Sequence, residues 1–303
     1  MNGIEQTLIG GVEGGTAILI PALGELVGER SGVVNLGLEG CMLAGALGAY
    51  ATAVATGNVW FGLIGGLAAG AVCGLLHAWL VVFRGADQLA SGLVVWFLAL
   101  GITSVFGTGY VDDTISPLPV MSVPLLGRIP FVGPVLFQHD ILVYAGFVLV
   151  PTIWFVLYRT RLGLVLRGTG ERPEVVAATG GRPALVQVLA VTFGAALGGL
   201  GGAQLSIGYV GNWFDDMTSG YGFVAVAVVL FAAWRPFWVL GGALLFGVSL
   251  AAASVLQAHG VVVNQYVLDA MPYVITLMAL IGLAHRGSSE APEGLRRALT
   301  NTG

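Results

Sequence analysis

An all-α polytopic membrane protein of about nine transmembrane helices, with eight and ten as the neighbouring counts, is what this sequence predicts. Three observations carry the prediction. The 303 residues are 56% hydrophobic and 9% charged, with a mean hydropathy of +0.90, whereas a soluble domain carries roughly 25% charged residues. The charge-free runs 40–83, 183–214 and 236–268 are each long enough for one or two spans of about 20 residues. All twelve basic residues are arginines, and five lie in RTRLGLVLRGTGERPEVVAATGGRP, at 159–183, between two long apolar runs.

The first span occupies 7–27 and is followed by the charged turn Glu29-Arg30. A second runs over 33–57 and a third over 58–83, with Arg84 and Asp87 in the next turn; the fourth covers 89–109. Residues 112–140 hold five prolines and Arg128. That stretch is too broken for a helix in lipid, where backbone groups must be satisfied internally, so it is expected to be a folded outer loop. The fifth span, 141–158, leads into the arginine-rich loop. Four more follow at 184–209, 220–234, 237–258 and 269–284, with Arg235 in a tight turn and Arg286, Arg296 and Arg297 in the tail.

Cytoplasmic loops retain Lys and Arg, so 159–183 sets the orientation: N-terminus outside, C-terminus cytoplasmic, and Arg128 the one arginine of twelve on the outer side. Within this loop Pro173 suits a first helical position, Glu174 the positive end of a helix, and Gly180 with Gly181 its termination. The expected helix, from Pro173 to Thr179, has about two turns. It is too short to cross a bilayer and fits a surface knob on which a soluble partner docks. The N-terminus MNGIEQTLIG lacks the basic region of a cleavable signal.

Spans one to four and six to nine have opposite orientations around span five, as in an inverted repeat. Each set carries a glycine-rich interruption, ERSGVVNLGLEG at 29–40 and NWFDDMTSGYG at 212–222. Interrupted helices at matching positions line the pathway in transporters of that design. The single transmembrane domain then divides into a first repeat (1–109), outer loop and linking helix (110–158), cytoplasmic loop (159–183), second repeat (184–285) and cytoplasmic tail (286–303). Glycine, at 48 residues, forms ridges at four-residue spacing, Gly62, Gly66, Gly70 and Gly74 and again Gly194, Gly198 and Gly202. Such ridges let helix backbones approach closely.

Enzymatic chemistry finds little foothold. With no lysine there is no phosphate-binding loop of the Walker type, so this chain does not hydrolyse ATP by that route. The four histidines are scattered, and Cys41 and Cys73 have no metal-ligand spacing, so no metal site is expected. Polar residues at membrane depth are site candidates by default. Glu25, Glu29, Arg30, Asn35 and Glu39 form the densest group. Glu29 and Arg30 read as a solvated turn, while Asn35 and Glu39, four apart, either line a pathway or pin a helix break. Gln88, Gln204, Asn264 and Gln265 suit an uncharged polar solute or bonds between helices. Trp96, with Phe97, and Phe223 lie within spans and suit stacking on a base or core packing. Asp215 and Asp216 beside Trp213 form either a solvated turn or a contact for an outer partner. Trp60, Trp154, Trp213, Trp234 and Trp238 fall at span ends, as in an aromatic belt. Glu13 stands alone in span one.

GELVGERSGVVNLGLEGCMLAGALGAY, at 24–50, resembles the opening signature of the permease subunits of bacterial ABC importers for nucleosides and simple sugars, a group similar to branched-chain amino acid permeases. VPLLGRIPFVGPVLFQHDILVY at 123–144, the loop at 159–181 and GYGFVAVAVVLFAAWRPFWVLGGALLFG at 220–247 agree, and resemble the outer loop, coupling loop and later core helices of the shorter nucleoside-type permease. The departure is Arg172, where the family commonly has Asn in a Gly-Glu-Asn-Pro run. The resemblance implies a type II importer-like fold in the bacterial cytoplasmic membrane, paired with a second permease and needing no cofactor of its own. It implies two ATPase subunits docked on the segment bearing Arg167, Gly170, Glu171, Arg172, Pro173, Glu174 and Gly180. It also implies an extracytoplasmic lipoprotein that delivers solute, for which Trp213, Asp215 and Asp216 are contact candidates. Asn35, Glu39, Gln88, Trp96, Gln204 and Phe223 are the pathway candidates. Nucleosides are the expected solute, with simple sugars, riboflavin-like ligands and branched-chain amino acids as rivals. The competing class is an ion-coupled carrier using Glu13, Glu39 or Asp269.

Overall fold

The computed structural model describes residues 3–111 and 113–258, with 270, 273–275, 278, 292 and 293 beyond them. The fold over these residues is helical nearly throughout. It begins with α1 (Gly3–Arg30), α2 (Leu38–Thr56), α3 (Val59–Ala78), which runs on through a π-helical turn at Trp79–Phe83, and α4 (Gln88–Gly107). The segment between α4 and the next long helix holds the six-residue α5 (Val132–Phe137) and a two-stranded antiparallel ribbon, β1 (Met121–Ser122) against β2 (Gln138–His139), with Met121 opposite His139. There follow α6 (Ile141–Arg159), α7 (Arg161–Glu171), α8 (Pro173–Ala178), α9 (Pro183–Ala203) with a second π-helical turn at Gln204–Val210, α10 (Tyr221–Phe231) and α11 (Pro236–Ala258). Helix starts follow the residues that can accept orphan N–H groups: Asn58 caps α3, Asp87 α4, Asp140 α6 and Thr160 α7.

Seven of the described helices are long and apolar enough to cross a membrane. The eighth, α10, has eleven residues and reaches only about 16 Å, half of a bilayer core. The full span expected at 220–234 is therefore a half-length helix that follows a break. The ninth expected span, at 269–284, lies outside the described residues, as do Asn264, Gln265, Asp269 and the tail arginines. In the arginine-rich loop the single expected helix is a pair. Arg161–Glu171 is helical as well, because Thr160 accepts from the N–H of Gly163 and starts a turn.

The layering is inside-out in the sense that suits lipid. About two thirds of the most apolar window of α1 and of α2 is buried, and half of that of α9, against 22% and 28% for α3 and α4. These three helices form the centre, and α3, α4, α6 and α11 surround it. Outward faces are apolar, with Ile64, Val72, Val94, Phe97 and Val105 exposed. Both glycine ridges face neighbouring backbone. A methyl on Gly66 would sit 3.2 Å from the Gly199 carbonyl oxygen, and one on Gly70 2.7 Å from the Gly199 nitrogen. On the other ridge, Gly194 packs against the Gly24 carbonyl, Gly198 against Leu38 and Gly202 against the Met42 carbonyl. Close packing of backbone on backbone supplies the dispersion contact that replaces a hydrophobic driving force in a bilayer.

Candidate functional site

The two glycine-rich interruptions are real breaks, and they are held by side chains rather than by solvent. Between α1 and α2 a buried non-helical backbone must find partners. Ser31 and Val33 N–H groups donate to the Gly28 carbonyl, and Gly32, at φ +93°, donates to that of Glu29. The Val34 N–H donates to Gln88 Oε1 (2.9 Å), and Gln88 Nε2 donates to the Gly32 carbonyl (3.3 Å). Gln187 Nε2 donates to the Ser31 carbonyl at 3.3 Å. His77 Nε2 lies 3.0 Å from the Val34 carbonyl, with the Ser91 hydroxyl 3.1 Å from its Nδ1. The Asn35 N–H donates to Glu25 Oε1 at 2.7 Å. Side chains from α1, α3, α4 and α9 thus specify one conformation of the break.

The second break, between α9 and α10, is closed by the first. Glu39, in the first turn of α2 and buried, accepts from the Thr218 hydroxyl (2.6 Å) and the Gly220 N–H (2.8 Å) through Oε1, and from the Gly222 N–H (2.6 Å) through Oε2. Gly220 is the N-cap position of α10 and has no side chain to offer. Glu39 supplies the missing acceptor and sets a negative charge at the positive end of the half-length helix.

Beside this junction Trp96 meets Phe223 edge-on at 5.1 Å between centroids and stacks on Phe97 at 4.7 Å. Gly40 brings α2 against the Trp96 backbone: a methyl there would lie 2.7 Å from Trp96 Cα. Asn35 Nδ2 is 3.8 Å from Cys41 Sγ. Asn35 Oδ1 and Trp96 Nε1 are buried and lack a hydrogen-bond partner among the described residues. The aromatic pair thus carries one orphan donor, on Trp96, and the adjoining break one orphan acceptor, on Asn35.

The structure brings Glu39, Trp96 and Phe223 together at the second break and puts Asn35 and Gln88 in the first. Gln204 is elsewhere: its Nε2 donates to Asp140 Oδ2 at 2.9 Å, on the N-cap of α6. Four expectations are corrected. Glu29 and Arg30 form no solvated turn, because α1 continues through them and both are buried. Trp234 belongs to that cluster, not to an aromatic belt, and its Nε1 donates to Glu29 Oε2. Trp213 is buried under Gly107, whose lack of a side chain makes the room; Asp215 and Asp216 stay exposed, with the Ser104 hydroxyl donating to Asp215 Oδ1 at 2.9 Å. Glu13 is not alone, since His139 Nδ1 lies 3.5 Å from its Oε1.

On α7, α8 and the turns beside them Glu171, Arg172, Glu174 and Gly180 are exposed, Arg167 and Pro173 are half-buried, and Gly170 is buried. Sequence reasoning missed His77, Ser91, Tyr158, Gln187 and Thr218. Of these, only His77 carried a signal, since it falls one turn beyond Gly74 on the glycine ridge.

The family model of the permease component of the branched-chain amino acid transport system matches residues 8–282. The chain belongs to this permease family. Among its relatives, the guanosine ABC transporter permease protein NupQ of Bacillus subtilis is 32% identical over 92% of each chain. The nucleoside ABC transporter permease protein NupC of Lactococcus lactis is 31% identical over 88% of each. TsgC13 of Haloferax volcanii, a permease named for glucose ABC transport, is 41% identical over 78% of this chain and 73% of its own. No solved structure matches the chain. The all-α, multi-pass architecture is that of an ABC permease, a transport component that works in general with an ATPase and a solute-binding protein.

Proposed function

We propose that this chain is one permease subunit of an ATP-driven importer of nucleosides, paired with a second permease in a cytoplasmic membrane with its C-terminus inside. The observation that carries the proposal is the junction of the two breaks at Glu39, with an orphan donor on Trp96 of the Trp96–Phe223 pair and an orphan acceptor on Asn35 in the first break. An uncharged solute with a flat ring and polar edges matches an aromatic face with one donor and one acceptor. The near-full-length similarity to NupQ and NupC points to the same solute class.

The exposed surface of α7 and α8, with Glu171, Arg172 and Glu174, is where the ATPase docks. Asp215 and Asp216 face the binding protein. Transport then follows from alternation of the two breaks between access states. Ion coupling is disfavoured at Glu39, whose carboxylate accepts three hydrogen bonds, and at Glu13, which faces His139. Glucose is the second reading, favoured by the identity to TsgC13. Competition decides between them: uptake of labelled guanosine into proteoliposomes holding the whole importer should fall with excess unlabelled nucleoside and be untouched by excess glucose. Suppression by glucose alone would transfer the assignment to sugars.

A further inference from the structure

Gly170, at the end of α7, touches the break between α1 and α2 backbone to backbone. A methyl on Gly32 would lie 3.2 Å from Gly170 Cα, and one on Gly170 would run into the Arg30 carbonyl oxygen and come 3.1 Å from the Gly32 nitrogen. Arg30, the last residue of α1, then ties this contact to two other elements. Its Nη2 donates to the Tyr158 hydroxyl at 3.2 Å and to the Trp234 carbonyl at 3.4 Å, and its guanidinium carbon lies 6.0 Å from the Trp234 ring centroid. The Tyr158 hydroxyl donates to the same Trp234 carbonyl at 3.3 Å, and the Arg167 guanidinium of α7 lies 5.1 Å over the Tyr158 ring. Trp234 holds a positive φ of +55° in the turn between α10 and α11 and donates to Glu29.

The geometry points to Arg30 as a positioning residue that carries displacement of the cytoplasmic helices into both breaks. Three parts meet at Arg30: α6 through the Tyr158 hydroxyl, on whose ring Arg167 of α7 lies, the first break through the Arg30 backbone, and the turn after α10 through the Trp234 carbonyl. An arginine suits the post because its planar fork holds two acceptors at once in fixed geometry. Packed contacts of this kind switch between discrete arrangements rather than deform continuously. A push on α7 therefore reaches Gly32 directly, and Glu39 relays it to the second break. The inference rests on the importer assignment, and it names the residues that link ATP turnover to movement of the pathway.

The test reads solute moved per ATP hydrolysed in proteoliposomes of the complete importer. Tyr158→Phe removes only the hydroxyl and keeps the ring under Arg167. It should lower labelled guanosine taken up per ATP by about fivefold or more, the scale of one modest coupling energy, at unchanged ATP turnover and unchanged complex yield. An unchanged ratio in Tyr158→Phe, or a parallel fall in uptake and turnover, overturns the proposal. A spin label on Leu36→Cys, in a chain with Cys41 and Cys73 replaced, reports the break without any solute. Vanadate-trapped ATP should shift its spectrum, and Tyr158→Phe should weaken the shift. If guanosine is not moved but the label responds, the solute assignment fails and Arg30 keeps its role; if the label is silent in the otherwise wild-type importer, the role is wrong.

Discussion

The carboxylate of Glu39 accepts a 2.6 Å hydrogen bond from the backbone N–H of Gly222, 183 residues further along the chain. This contact makes one unit of two broken elements. It places a buried charge where the N-terminal N–H groups of a half-length helix would otherwise be orphaned, and each such group costs about 1–3 kcal/mol when left unpaired.

Glu39→Ala should therefore destabilise the folded chain by roughly 3 kcal/mol or more, since the Thr218, Gly220 and Gly222 donors all lose their acceptor. Glu39→Gln keeps an acceptor oxygen and should fall between the two. Unfolding in detergent, followed by heat or denaturant, checks the order wild type, Gln, Ala.

The glycine ridge makes a sharper contrast. Gly70→Ala drives a methyl against the Ala195 carbonyl and to within 2.7 Å of the Gly199 nitrogen, whereas a methyl on Gly101 meets nothing within 4 Å. Overpacking costs about 1–3 kcal/mol, so the yield of folded Gly70→Ala should drop and that of Gly101→Ala should match wild type in the same membrane preparation.

His139, in the β1–β2 ribbon, predicts a pH dependence. Burial alone would lower its pKa, but the Glu13 carboxylate, the Val135 carbonyl at 2.8 Å and the nearby Asp140 charge outweigh it and hold the imidazole above its ordinary value. A group raised in the folded state stabilises fully below its unfolded pKa, about 6.5, and that stabilisation is lost as pH rises through the folded value. The melting temperature should thus decline as pH is raised from about 6 through the raised pKa, and His139→Gln should remove this component of the slope. A slope identical in the variant would assign the effect to other groups.

Much of this was legible in the sequence, for identifiable reasons. Long apolar runs announce themselves locally, and the glycine ridges follow from a four-residue period. The two breaks were visible because glycine and polar residues interrupt apolar runs at 29–40 and 212–222. What joins them was not. Whether Glu39 lines a pathway or pins a break depends on Thr218 and Gly222, which no local pattern connects to it. Trp234 falls at the end of an apolar run, as a belt residue does; its partners Glu29 and Arg30 lie on a helix that continues through two charges. In the arginine-rich loop the helix over 161–171 starts from the Thr160 cap, which no apolar run marks.

Glu171 and Glu174 are exposed on α7 and α8, so Glu171→Ala with Glu174→Ala should leave stability within about 0.5 kcal/mol while weakening capture of the ATPase subunit in pull-down from detergent. Full retention of the ATPase would move the docking surface elsewhere on the cytoplasmic face.

The energy source of uptake tests the central claim most directly. Proteoliposomes holding this chain, its partner permease, the ATPase and the binding protein are loaded with ATP or left empty, and labelled guanosine is followed inward. ATP-driven permeation predicts accumulation only with ATP inside and none from an imposed proton gradient. Accumulation driven by the gradient without ATP would contradict it and make the chain an ion-coupled carrier.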